Sequence, residues 1–160
     1  MQSRALSLAL GVTTAAAVLV APIAQASDAG LKKTVIRHEK RVTPLAKAFA
    51  KADKAVESTT TDFTAASAAA TALRTGLRSY KTAIVPIKTE SASSAAGKKQ
   101  MLTAIREFDL GLVQYLKLIE KAAAGADKDS LKSTFVTLNK RLKAAADDEK
   151  SALRLLKISK

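Results

Sequence analysis

The sequence predicts an all-α protein, an up-down-up-down four-helix bundle preceded by a cleavable signal peptide. Three observations lead there. Apolar residues recur at alternating steps of three and four over long stretches, the spacing that puts them on one face of a helix. Strand-like alternation never lasts beyond a few residues, and Gly and Pro are scarce after residue 30 while alanine is abundant. The first 26 residues carry a charged start, an apolar run and a small-residue cleavage site, in that order.

In residues 1–26, Arg4 supplies the charge and Ala5 to Val20 the apolar run. Pro22 breaks the run, and Ala24-Gln25-Ala26 is the small-x-small site. Cleavage there makes Ser27 the mature N-terminus. The run is shorter than the ~20 residues a spanning helix needs, so a signal is expected rather than an anchor. Residues 27–160 then form a single helical-bundle domain, secreted or periplasmic.

The first mature helix is expected over about residues 29–57. Its seam is Leu31, Val35, His38, Val42, Leu45, Phe49, Ala52 and Val56, stepping 4, 3, 4, 3, 4, 3, 4 as in a bundle or coiled coil. Thr43-Pro44 lies on the outer side, where a kink is expected and a break is the alternative. Ser58 to Asp62 is the first expected turn, because these side chains compete with helical hydrogen bonding and cap helix starts. The second seam is Phe63, Ala66, Ala70, Leu73, Leu77, Tyr80, Ile84 and Ile87. Its phase also fits one long bent element over residues 29–90, which would make a three-helix bundle. Two helices are preferred, because a lone helix of that length leaves its seam unburied.

Ser91 to Gly97 reads as the clearest loop. A third helix follows with Met101, Ile105, Phe108, Leu112, Tyr115 and Ile119 on one face, widened by Leu102, Val113 and Leu116. Gly125 closes it, and Asp127 and Asp129 place negative charge where the next helix begins. The fourth seam is Leu131, Phe135, Leu138, Leu142, Ala145, Glu149, Ala152 and Leu156. LKKTVIRHEKRV (31–42) echoes LKSTFVTLNKRL (131–142). A duplicated hairpin would match the first helix to the third, so the echo is read as coincidence, though it sets His38 where Leu138 stands.

Charge and composition narrow the function. Lys and Arg number 27 against 14 Asp and Glu, a net +13 that becomes +12 once Arg4 is removed. Such a field favours anionic partners, and export directs attention to anionic envelope polymers or membrane surfaces rather than genomic nucleic acid. Residues 27–58 and 127–160 carry +4 each. Lys33, Arg37, Lys40, Lys47, Lys51 and Lys54 recur opposite the first seam, and Lys132, Lys140, Lys143, Lys150, Arg154 and Lys157 load the fourth helix. If these two helices are neighbours, one basic side results. Lys33, Arg37, Lys40, Lys47, Lys51, Lys54, Lys140, Lys143, Lys150, Arg154 and Lys157 are its candidate polyanion-binding residues.

Catalytic signals are poor. Cysteine is absent and histidine single, which excludes thiol chemistry, cysteine–zinc sites and multi-histidine metal sites. No glycine-rich phosphate loop and no nucleophile motif appears, so no enzymatic activity and no cofactor is expected. The alternative function is a small-ligand or cofactor carrier using the bundle interior, with haem held by His38 and Met101 as one form of it. Two residues break the apolar seams. His38 is third of eight in the first seam, and Glu149 sixth of eight in the fourth. Antiparallel neighbours bring third to sixth, and Tyr80, sixth in the second seam, falls at the same level. His38, Glu149 and Tyr80 are therefore the candidate buried polar layer, whose members satisfy one another.

Overall fold

The computed structural model describes residues 27–59 and 63–158, and all the regular structure among them is α-helical. The elements are α1 (Asp28–Thr59), α2 (Phe63–Ile84), α3 (Ala92–Ala123) and α4 (Lys128–Leu155). The signal expected in residues 1–26 lies outside the described residues. So do Thr60, Thr61 and Asp62 of the first expected turn, whereas Ser58 and Thr59 belong to α1.

The seam periodicity explains the packing. Every residue of the four seams is buried or half-buried, and together they form one helical bundle around one core. α1 packs on α2, α2 on α3 and α3 on α4. Packing of α1 against α2 rules out a single long helix across them. α3 holds the most buried residues, as a helix does that packs against neighbours on two sides.

Local chemistry sets the helix ends. Ser27 begins α1 as its cap, its hydroxyl accepting from the Gly30 N–H at 2.9 Å. α1 runs on through Pro44 as one helix. Pro44 and Lys40, the residue whose carbonyl loses a helical partner, are both exposed, so water can take up the freed acceptor. At the end of α3, Gly125 adopts φ +83°, and the N–H groups of Gly125 and Ala126 donate to Ala122 and Lys121, each at 3.0 Å. That left-handed cap needs glycine. Lys98 closes α2 by donating to the Val85 and Ile87 carbonyls at 2.8 and 2.5 Å.

The loop expected over Ser91 to Gly97 is instead the start of α3. Ser91 is the cap, its hydroxyl accepting from Ser94 N–H at 3.2 Å. Ser94 and Gly97 are both buried in the helix. The alanines supply helix propensity, and the small residues form a packing face. A Cβ on Gly97 would lie 2.8 Å from Leu156 Cγ, and one on Gly111 2.6 Å from Leu142 Cδ2. Leu142 of α4 and Leu156 just beyond it fill those two notches, and α4 thereby seats closely on α3.

Candidate functional site

α1 and α4 flank a cleft. Among the described residues their Cα atoms come nowhere within 8 Å of each other. α4 is drawn onto α3 by the glycine notches, while the sides of α1 and α4 that face each other carry carboxylates. The two helices therefore do not pack directly on each other, and Lys40 and Lys47 of α1 line the space beside them.

The inner part of the cleft is a pocket of about 300 Å3, reached by side chains from all four helices. Its apolar lining includes Val42 of α1, Leu77 of α2, and Met101, Ile105 and Phe108 of α3. Glu39 from α1, Tyr80 from α2 and Glu149 from α4 supply polar groups, and Lys47 completes the lining as an exposed side chain. An outer groove of about 470 Å3 runs alongside, between Ile36, Pro44, Leu153 and Ile158, with Lys40 at its edge. Glu39, Thr43 and Lys47 line both cavities.

The candidate polar layer is arranged around Tyr80. His38 is buried and stacks on the Tyr80 ring, centroids 5.1 Å apart and planes 10° apart. Tyr80 is 1% exposed, and its hydroxyl meets the Glu39 carboxylate at the margin of hydrogen-bond geometry. Burial raises the hydroxyl's pKa far above its usual range, and the carboxylates of Glu39 and then Glu149 push it the same way. Glu149 is half-buried, and its charge acts on Tyr80. For His38, burial lowers the pKa below 6.5, followed by the like charges of Arg37 and Arg41. A pairing of Glu149 with His38 would have raised it. The histidine is thus held neutral, with its aromatic face on Tyr80. Met101 lines the pocket but His38 does not, so the His38–Met101 pair does not share that cavity.

Glu39 is the site residue that the seam pattern missed. It lies next to His38 in sequence and one step off the seam, where a carboxylate reads as ordinary helix surface. The available signal was its spacing of four residues from Val35 and three from Val42, which places it on the flank of the buried stripe.

The candidate basic residues are all placed at the surface. Lys33, Arg37, Lys40, Lys47, Lys51 and Lys54 on α1 are exposed, as are Lys140, Lys143, Lys150 and Arg154 on α4 and Lys157 just beyond it. None of the eleven forms a salt bridge among the described residues. Those bridges belong to Arg74 and Arg78 with Asp109, and to Arg106 and Arg141 with Glu107. No group of three or more metal-ligating side chains forms among the described residues, and none of their helices is long and apolar enough to cross a membrane. No family model, curated protein or solved structure matches the chain.

Proposed function

We propose that this chain is an exported, non-enzymatic helical-bundle protein that docks on anionic envelope polymers or surfaces through its basic α1 and α4 faces. Residues 1–26 act as the cleaved signal, Ser27 starts the mature protein, and the helices run up-down-up-down. One observation carries the docking reading: the eleven candidate cations are exposed and outside every salt bridge among the described residues. Their charge is available to a partner, and the arginines that cross-link helices are a separate set. The interaction is long-ranged, weakly selective and salt-sensitive.

Retention on immobilised polyphosphate and on anionic-lipid vesicles, at low and high salt, tests this. The triple variant Lys51→Glu, Lys54→Glu, Lys150→Glu leaves the pocket lining untouched and should elute at much lower salt. Retention indifferent to both salt and charge reversal defeats the proposal. Intact-mass measurement of the exported form tests the cleavage after Ala26.

A second reading is favoured by the pocket itself. A partly apolar cavity with a few convergent polar groups suits a small-molecule carrier that uses the bundle interior, and about 300 Å3 is at the lower end of the range for such sites.

A further inference from the structure

We infer that the pocket between α1 and α4 binds a small organic cation, an amine carried on an apolar body. The assignment rests on the interior-carrier reading and gives that site its ligand class.

The lining has the opposite sign to the protein surface. The chain is strongly basic, yet two carboxylates, Glu39 and Glu149, line this one cavity from different helices. Glu39, Glu149 and Tyr80 all line it, and both carboxylates act electrostatically on the Tyr80 hydroxyl. An anion entering there would meet two like charges in a partly desolvated site. A cation gains from both, and such interactions strengthen as water is excluded.

The hydrogen-bonding character of the lining points to the same ligand. An ammonium group has three N–H donors and no acceptor. The carboxylates and the phenolic oxygen of the lining are acceptors, with the Tyr80 O–H turned to Glu39. Leu77, Met101, Ile105 and Phe108 give the apolar body its contacts. Lys47 is the basic side chain of the lining, but it is exposed and in no salt bridge among the described residues. A bound cation would join α1 to α4, which have no close backbone approach of their own.

The test uses the full chain and three probes of similar shape: phenethylammonium, 2-phenylethanol and 3-phenylpropionate. Calorimetry measures affinity, and the Met101 methyl resonance reports occupancy of the pocket. The cation should bind and shift Met101, with the alcohol and the carboxylate about tenfold or more weaker, as loss of a charge-assisted hydrogen bond implies. Glu39→Gln and Glu149→Gln keep the side-chain shape and should each weaken cation binding about tenfold. Tyr80→Phe should weaken it less. Lys47→Met removes a like charge from the lining and should tighten cation binding; loss of binding in that variant would overturn the sign of the assignment. If all three probes bind alike and shift Met101, the interior-carrier reading stands and the cation assignment fails. If none binds and Met101 is unmoved, both fail.

Discussion

The two sides of α4 differ. Toward α3, Leu142, and Leu156 just past the helix end, press into notches left by Gly111 and Gly97, within distances that a single added methyl would violate. Toward α1 there is a cleft with carboxylates on both walls and no backbone approach within 8 Å. Both sides descend from the same three-four repeat of apolar residues. The repeat decides which side chains turn inward. How closely two helices then approach depends on the smallest residues at the contact. Structure is concentrated on the α3 side and room for a ligand on the α1 side.

The largest expected effect comes from emptying a notch. Leu156 is fully buried, so Leu156→Ala removes packed volume and should cost about 2–5 kcal/mol, depending on how far α4 settles. Urea unfolding followed by circular dichroism measures it. A cost under about 1 kcal/mol would mean the α3–α4 contact is looser than described.

Filling a notch gives the next effect, and its sign separates two interfaces. At Gly97 an added Cβ meets Leu156 and also the Ala152 carbonyl at 3.3 Å, which is backbone and yields little. Overpacking of about 1–3 kcal/mol outweighs the helix-propensity gain of about 1, so Gly97→Ala should destabilise by about 1 kcal/mol. At Gly76 in α2, an added Cβ meets only side-chain atoms of α1, 2.8 Å from Leu45 Cδ1 and 3.7 Å from Val42 Cγ2. The Leu45 methyl can swing aside, so Gly76→Ala should be neutral or stabilising by up to about 1 kcal/mol. Equal effects at the two glycines would erase the distinction.

That distinction also marks what was legible in the sequence. The four seams, the cap at Gly125 and the oddity of His38 could be read directly, because periodicity and backbone chemistry are local. Ser91 to Gly97 was misread. Serines and a glycine look like a loop, yet as the first turns of α3 they are the small residues that another segment packs onto. The polar site was half legible. His38, Tyr80 and Glu149 stand out as polar or aromatic interruptions of apolar stripes. Glu39 does not, and nothing local says that Glu149 acts on Tyr80 and not on His38.

The His38–Tyr80 stack sharpens the comparison from the α1–α2 side. An aromatic pair adds about 0.5–1.5 kcal/mol beyond its buried area. A double-mutant cycle with His38→Ala and Tyr80→Leu should therefore show coupling of that size. The cycle with His38→Leu and Glu149→Leu should be close to additive. Stability should also depend on pH through His38. Its folded pKa lies below the unfolded value near 6.5, so its contribution is full above about pH 6.5 and is lost as pH falls through the folded value. His38→Phe should flatten the urea midpoint across that window. An unchanged slope would show that His38 takes a proton in the folded state as readily as in the unfolded chain.

The smallest effect is expected where α1 begins. The Asp28 carboxylate accepts from the Glu90 and Ser91 N–H groups at 3.0 and 3.2 Å, tying the start of α1 to the connection between α2 and α3. Hydrogen bonding to the Ser91 side chain, then to the Glu90 backbone, holds its pKa at about 2, against an ordinary value of 3.8. A depressed carboxylate contributes stability above its unfolded value that is lost as pH falls through the folded one. The loss therefore falls between about pH 4 and pH 2. The group is exposed, so solvent screens most of the benefit at neutral pH. Asn retains one acceptor oxygen, and Asp28→Asn should barely change the urea midpoint near pH 7. In acid it should remove part of the steepness of the wild-type decline. An identical acid limb in the two proteins would mean that this end of α1 is held by helix packing alone. The tie would then add nothing to the α1–α2–α3 side that the cleft toward α4 lacks.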